Sequence, residues 1–209
     1  MRRNVYFFIG SIVSFLSFIG FTLLVKKHLF DKLDFDTTVR LQDHIPHKFD
    51  PFFSFLSLAG SFEVLVVVLF VLLVLRKKWF GFFVALGTFI AAHAIEFIGK
   101  GFLHHPGPPH LLLRTDLPFE FPSSYVQPGS SYPSGHSLRI VFLGIIIAFL
   151  ITKIKRLDTP LRFLFYCGIL SIVFLMLLSR VSLGEHWTTD VVGGTLLGIS
   201  MALLSLLWI

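Results

Sequence analysis

The chain consists of long apolar segments separated by shorter polar connections. Six segments are long enough, or nearly so, to cross a hydrocarbon core about 30 Å thick at about 1.5 Å per helical residue. They cover residues 5–25, 52–75, 79–103, 138–151, 163–178 and 191–209. This pattern predicts an all-α, polytopic membrane protein with six transmembrane helices.

Two of the six segments are short for a membrane crossing. Segment 138–151 can span only if its polar end, Ser137 and Arg139, continues the helix into a hydrated cavity. Segment 163–178 requires the same of Ser179 and Arg180. We therefore expect polar and charged residues inside the ends of two membrane helices.

Composition excludes an ordinary soluble domain. The chain is 55% hydrophobic, with a mean hydropathy of +0.82, and only 14% of its residues are charged, about half the usual share. The net charge of +6 does not indicate a nucleic-acid partner, because the basic residues cluster at segment ends beside the predicted membrane surfaces.

The run from Ser179 to Asp190 carries the strongest chemical signal. Asp190 lies four residues after His186, one turn along the same helix face. Its carboxylate can accept the imidazole Nδ1–H and leave Nε2 free as a nucleophile or base. Arg180 supplies a planar fork suited to phosphate oxygens. Alone, such a run is more often a hydrated helix end than a catalytic site.

Two further runs change that interpretation. PSGHS at 133–137 stands at the entrance to an apolar segment, and Lys100 ends another, followed by HHPGP at 104–108. Together the three runs resemble the signature of the type 2 phosphatidic acid phosphatase (PAP2) superfamily. That family contains membrane lipid phosphatases and is related to vanadium-dependent haloperoxidases. The resemblance covers roughly residues 100–195.

The resemblance implies a role for each of these residues. His186 would attack phosphorus and form a phosphohistidine, and Asp190 would orient its ring. His136 would protonate the leaving oxygen, after which water would hydrolyse the intermediate. Lys100 and Arg180 would hold the phosphate charge, so neither a metal nor another cofactor is expected.

The backbone around PSGHS is a second candidate for phosphate binding. Ser134 and Gly135 stand where the chain enters a helix, so their N–H groups can point at an anion. Glu96 lies four residues before Lys100 in a membrane segment. An i,i+4 pair is the simplest account of this carboxylate, which would either hold the lysine ready or merely neutralise it.

One position departs from the family pattern. The family has an arginine seven residues after its lysine, followed by proline; here Gly107 occupies that place, with Pro108 next. Arg139, one turn after His136, or Arg114 in the loop is a candidate substitute. Each has an ordinary alternative, in which Arg139 pairs with Glu185 and Arg114 lies in solvent.

The segment order places the motifs together. One integral-membrane domain, residues 1–209, is expected, with its catalytic half at about 100–195. The third and fifth segments end at motif residues, and the fourth and sixth begin at them, so in a six-span bundle all four ends share one face. Loop 104–132 is expected to be an irregular cap over the site, and loop 26–50 either an interfacial amphipathic helix or a solvated linker.

The basic residues orient the bundle. Nine of them precede the first segment or fill the second and fourth connections, on the face opposite the motifs: Arg2, Arg3, Arg76, Lys77, Lys78, Lys153, Lys155, Arg156 and Arg162. The other nine lie on the motif face, so the raw tally is tied; five of them, in loop 26–50, are offset by five aspartates there. Because the two short connections are compact, basic and nearly acid-free, the positive-inside tendency favours motifs on the extracytoplasmic face of a bacterial inner membrane.

These observations predict a metal-independent membrane lipid phosphatase acting on a lipid phosphomonoester or pyrophosphate. The family implies phosphatidylglycerophosphate, undecaprenyl pyrophosphate and phosphatidic acid as candidate substrates. Two alternatives stay open: a phosphotransferase that passes the phosphoryl group to a second acceptor, and a catalytically silent lipid-phosphate binder. The oligomeric state stays open as well.

Overall fold

The computed structural model of the chain describes residues 2–75, 77, 79–115, 117 and 129–209. These residues form eight α-helices and two short 3₁₀ turns. The α-helices are α1 (Arg2–Lys26), α2 (Asp31–His44), α3 (Asp50–Ala59), α4 (Phe62–Leu75), α5 (Trp79–Phe102), α6 (Gly135–Thr152), α7 (Thr159–Ser182) and α8 (Thr188–Ser205).

The prediction of an all-α membrane fold is confirmed. Helices α1, α5, α6, α7 and α8 are each long and apolar enough to cross a membrane. A sixth span results if α3 and α4 are counted together.

The second predicted span is not one straight helix. Its two parts, α3 and α4, are bent by 59° at Gly60 and Ser61. A Cβ at Gly60 would lie 2.6 Å from Met176 Cε, so this side chain of α7 packs directly on the glycine. The Gly60 carbonyl accepts a hydrogen bond from Arg139 Nε at 3.0 Å. Because the Arg139 side chain satisfies this carbonyl, breaking the helix inside an apolar segment leaves one fewer backbone group without a hydrogen bond.

The polar ends of the two short segments do continue their helices. Helix α6 begins at Gly135 and runs for 18 residues, and α7 has 24 residues and ends at Ser182. Ser137, Arg139, Ser179 and Arg180 therefore lie inside helical turns, as predicted.

Helices α6 and α8 form the centre of the bundle and touch along their backbones. A Cβ at Gly194 would lie 2.2 Å from the Ser134 carbonyl, and one at Gly198 would lie 2.6 Å from the Leu138 carbonyl. Only glycine permits this approach, which sets the N-terminal ends of α6 and α8 side by side. This packing brings the PSGHS run next to the His186–Asp190 run.

Of the two alternatives for loop 26–50, a helix and a linker, the structure shows a helix, α2. Its buried residues are the polar Asp34 and Thr38. The apolar Leu29, Leu33 and Phe35 are instead 62%, 51% and 50% exposed. The helix therefore turns polar groups toward the bundle and apolar groups outward, which suits a helix lying at a membrane surface.

Loop 104–132 is irregular where the structure describes it, apart from the 3₁₀ turn His110–Leu112. Residues 116 and 118–128, where the cap over the site was expected to extend, lie outside the described residues. The described end of the loop is tied to its beginning, because Ser131 N donates to the His105 carbonyl at 2.9 Å.

Candidate active site

Four helix ends carry the charged residues of the three sequence motifs. Lys100 lies in the last turn of α5 and Arg180 in the last turn of α7. His136 lies in the first turn of α6, and His186 comes just before α8. The structure brings these ends together, as the segment order predicted.

His186 and Asp190 form a pair at the start of α8. His186 Nδ1 lies 3.3 Å from Asp190 Oδ2, and the carboxylate is fully buried. The same oxygen accepts the Trp187 backbone N–H at 2.9 Å, which fixes its position in the first turn. A carboxylate at Nδ1 favours the tautomer whose proton is on Nδ1, so Nε2 has a free lone pair.

His136 lies across from this pair, on the neighbouring helix start. It is close enough to His186, Arg180 and Arg139 to interact with all three electrostatically, and it lies against the backbone of Ser57. A Cβ at Gly60 would be 3.2 Å from His136 Cδ2, so the bend between α3 and α4 leaves room for the ring.

Arg180 is fully enclosed, with no exposed surface. Its Nη1 donates to Ser57 Oγ at 2.7 Å and also contacts the Glu185 carboxylate. Nε and Nη2 donate to Ser179 Oγ at 3.3 and 3.1 Å. Glu185 is held in turn by the Thr115 hydroxyl at 2.7 Å. The guanidinium plane is therefore fixed from several sides.

Lys100 forms the predicted pair with Glu96, Nζ to Oε1 at 2.9 Å. The other carboxylate oxygen lies 2.7 Å from His93 Nδ1. Glu96 also presses against the start of α6, because a Cβ at Gly135 would lie 2.5 Å from Glu96 Oε1. Glycine at this position allows the Glu96–Lys100 pair to lie directly on the helix start.

Ser134 has a different place from the one expected. Its N–H donates to the Asp190 carbonyl at 2.9 Å, and its hydroxyl caps α6 by accepting from Ser137 N at 3.4 Å. The expectation that this amide faces an anion is therefore wrong, since the close packing of α6 on α8 uses it. Gly135 and His136 contribute the next N–H groups, which a helix start leaves without intrahelical acceptors.

Neither ordinary alternative for the two candidate arginines holds. Glu185 pairs with Arg180, while Arg139 is buried and donates from Nε to the Gly60 carbonyl. Arg114 is not in solvent either: its guanidinium contacts Asp50 at 2.9 Å and donates to the backbone carbonyls of Gln42, in the last turn of α2, and Ile45. Arg139 therefore belongs to the site, whereas Arg114 links two distant segments of the chain.

Gly107, where the family has arginine, lies on an exposed stretch of backbone. A Cβ there would have Ser131 Cβ as its nearest neighbour, at 3.4 Å, so a side chain fits. The preceding carbonyl, that of Pro106, accepts the Trp187 indole N–H at 2.8 Å. Position 107 is thus one residue from a contact with the neighbour of His186.

Sequence reasoning missed Ser57, which holds Arg180 from α3. Ser54, Ser57 and Ser61 are all buried, with spacings of three and four residues in an apolar segment. In a continuous helix this spacing would place the three hydroxyls on one face, a signal that was available, although in the structure Ser61 lies at the bend after α3. Sequence reasoning also assigned no role to His105, although it lies in the run HHPGP at 104–108. Within the described part of the chain, no group of three or more His, Cys, Asp or Glu residues has a metal-binding arrangement.

Comparison with known proteins identifies the family. The model of the PAP2 superfamily matches residues 78–209, more than half of the chain. The chain therefore belongs to the PAP2 superfamily, as the sequence resemblance indicated, and the predicted class of phosphoric-ester hydrolase is confirmed at the level of the family.

Two solved structures share its fold. One is a transmembrane PAP2-type phosphatidylglycerolphosphate phosphatase from Bacillus subtilis, with a TM-score of 0.76, 20% identity and 94% of each chain covered. The other is LpxE from Aquifex aeolicus, with a TM-score of 0.62, 20% identity, 83% of this chain covered and 94% of the other. Among curated proteins no match is found.

Proposed function

We propose that this protein is a metal-independent membrane lipid phosphatase that works through a phosphohistidine on His186. The observation that carries the proposal is the His186–Asp190 pair facing His136 across two adjacent helix starts, with Arg180 buried beside them. In-line phosphoryl transfer requires groups on opposite sides of phosphorus, and two histidines on different helices supply them.

In the first step, His186 Nε2 attacks the phosphorus of the substrate. The P–N bond forms as the P–O bond to the lipid breaks, and protonated His136 gives its proton to the departing oxygen. The Nδ1 proton of His186 stays hydrogen-bonded to Asp190, which stabilises the positive charge on the phosphorylated ring. Arg180 and Lys100 offset the negative charge on the phosphoryl oxygens.

In the second step, water replaces the imidazole. Neutral His136 takes a proton from the attacking water, the new P–O bond forms, and the P–N bond breaks. Inorganic phosphate leaves, and His186 and His136 return to their starting protonation states. The first N–H groups of α6, at Gly135 and His136, support the phosphoryl group through the positive end of the helix dipole.

A lipid phosphate is the substrate class that the surroundings favour. Phe102, two residues after Lys100, is 84% exposed, and Leu111 in the adjoining loop is 92% exposed. Apolar side chains around a cluster of charges suit a phosphate headgroup attached to acyl or prenyl tails. Phosphatidylglycerophosphate, undecaprenyl pyrophosphate and phosphatidic acid are the candidates, and the similar Bacillus structure is named for the first.

We place residues 1–209 in one domain, with the catalytic half at about 100–195, in the bacterial inner membrane. The site would face the extracytoplasmic side, because the short connections at the opposite end carry the basic residues. Protease accessibility of a tag inserted between α6 and α7, in sealed vesicles, tests this orientation.

The function is tested by phosphate release from each candidate lipid by the purified protein in detergent. His186→Ala should abolish turnover, because the attacking nitrogen is removed. His104→Ala removes an exposed histidine and is the matched control. To trap a phosphohistidine, the reaction is quenched at high pH and kept out of acid, because acid hydrolyses the P–N bond.

The outcomes separate the alternatives. The proposal is supported if phosphate is released to water in excess EDTA. Labelled phosphate from the substrate should then be trapped on the wild-type protein and not on His186→Ala. Product formed only with an added acceptor indicates a phosphotransferase, and binding without either reaction indicates a silent binder. Activity within tenfold of wild type in folded His186→Ala would reject the mechanism.

A further inference from the structure

Helix α2 reaches into the site through one buried acid. Asp34 is 1% exposed, although its neighbours along the helix face outward. Both of its oxygens bind Thr189, one accepting the backbone N–H at 2.9 Å and the other accepting the hydroxyl at 2.6 Å. Thr189 belongs to the first turn of α8, next to Asp190. Asp34 therefore caps, from another helix, the turn that carries Asp190, the proposed partner of the nucleophile.

A second buried residue reaches the same turn from the loop. His105 is 5% exposed, and its Nε2 lies 3.4 Å from both Thr189 Oγ1 and Asp190 Oδ1. Within the described residues Asp190 Oδ1 has no hydrogen-bond partner, so the His105 hydrogen bond goes to Thr189, and the Asp190 carboxylate faces the ring as a nearby charge. Because the Thr189 hydroxyl proton goes to Asp34, both oxygens facing His105 are acceptors. The His105 proton therefore belongs on Nε2.

The His105 ring is itself held in place. Its backbone carbonyl accepts Ser131 N at 2.9 Å, and its ring meets the Tyr132 ring edge-on at 6.2 Å. The Tyr132 hydroxyl pairs with Thr22 of α1 at 2.9 Å. Burial and the nearby Asp190 carboxylate raise the pKa of Asp34 above its ordinary value. The two Thr189 hydrogen bonds and the nearby His105 offset only part of that rise.

We propose that His105 and Asp34 are positioning residues that hold Asp190 and the first turn of α8, so that Asp190 Oδ2 stays aimed at His186 Nδ1. The contacts run from Asp34 through Thr189 to His105, which faces Asp190 Oδ1. His186 is on the other oxygen of the same carboxylate, Oδ2. Neither residue touches the phosphate in this arrangement. The inference rests on the proposed function, because it assigns a support to the proposed nucleophile.

The test compares three substitutions of His105 in the full-length protein in detergent. His105→Ala removes the donor, and kcat should fall by about tenfold or more with KM within about twofold, since alignment and not phosphate binding is lost. Gln places its amide N–H near the position of Nε2, so His105→Gln should keep kcat within about threefold of wild type. His105→Asn is too short and should behave like Ala.

Asp34→Ala should show the same split between kcat and KM, and Asp43→Asn, an exposed acid of α2, is its control. A role limited to folding would lower the yield and melting temperature but leave kcat per folded molecule unchanged. If His105→Ala fails to fold, the comparison of Gln with Asn decides.

Wild-type kcat in His105→Ala, or equal kcat in the Gln and Asn variants, would overturn the positioning role. If His186→Ala is inactive in the same assay, the proposed function survives that result; if His186→Ala turns over normally, the proposed function itself has failed.

Discussion

The two cations proposed to bind phosphate are both paired with a carboxylate, but their surroundings differ. Arg180 is fully buried and contacts Glu185, Ser57 and Ser179. Lys100 is 14% exposed at its side chain, and Glu96 is its one ion-pair partner within the described residues. The Arg180 guanidinium is therefore held in one plane by groups from two helices, whereas the Lys100 ammonium lies at the end of a flexible side chain.

Because their surroundings differ, we expect Arg180 and Lys100 to contribute to different steps. A guanidinium already held in place needs no reorganisation when charge develops on phosphorus, which is where electrostatic stabilisation is most effective. An ammonium on a flexible stem can move from Glu96 to an incoming phosphate. We therefore expect substitutions of Arg180 to lower kcat most, and changes around Lys100 to act mainly on KM.

The largest effect is expected for Arg180→Lys. Lysine keeps the charge but not the fork, so Ser57 and Glu185 lose a partner in a buried place. We predict that kcat falls by more than about 100-fold, or about 2.7 kcal/mol of transition-state stabilisation. Phosphate release and melting temperature are measured together, with Arg162→Lys at the other end of α7 as control. A kcat within tenfold of wild type would remove the distinction between the fixed and the movable charge.

Arg139 is a third cation that lies close to both pairs. Its Nε binds the Gly60 carbonyl, and its charge is close enough to Glu96 and Arg180 to interact with both. If the guanidinium also contacts the phosphate, Arg139→Ala should raise KM or lower kcat by more than about tenfold, or about 1.4 kcal/mol. Kinetics that match wild type would leave Lys100, Arg180 and the backbone amides as the phosphate site.

Arg114→Ala is the contrasting substitution. Arg114 does not lie in solvent but joins Asp50 to the end of α2 and the connection that follows it. We therefore expect a lower melting temperature from this variant, with kcat per folded molecule unchanged.

A smaller effect is expected for Glu96→Gln. The carboxylate lies beside Gly135 and pairs with Lys100, so its neutral replacement should release the lysine and raise KM by about fivefold with little change in kcat. Titration of the rate against lipid phosphate concentration measures this, with Asp43→Asn as the control. A lower KM would instead show that Glu96 merely neutralises the lysine and competes with the substrate.

The sequence predicted the parts of the site that are local in the chain. The His186–Asp190 pair and the Glu96–Lys100 pair each follow from a spacing of four residues, and both exist. The gathering of the motifs at one end follows from counting membrane segments.

Contacts between distant segments could not be derived in this way. Asp34 and Thr189 are 155 positions apart, and their contact depends on how α2 lies across the start of α8. Likewise, Ser134 was expected to face an anion, but the glycine contact between α6 and α8 directs its amide to the Asp190 carbonyl. The bend at Gly60 also depends on packing, because Arg139 and Met176 reach it from other helices.

The smallest effect is expected where the family arginine is absent. Gly107 is exposed and a Cβ there meets Ser131 only at 3.4 Å, so Gly107→Arg should fold normally. The new guanidinium would stand one residue from Pro106, whose carbonyl binds the Trp187 indole, and would add charge near His186. In the wild-type background, KM should fall by about threefold, because Arg180 and Lys100 already supply positive charge.

In the Arg139→Ala background the same substitution should recover part of the lost activity, since it restores a cation at the family's own position. Gly107→Gln, similar in length but uncharged, is the matched control, and raising the ionic strength should weaken only the arginine variant. Recovery with both residues would indicate an effect of the loop backbone, and recovery with neither would place position 107 too far from the phosphate. Recovery with arginine alone would mean that Arg139 supplies, from inside α6, the charge that the family's first motif carries in the loop.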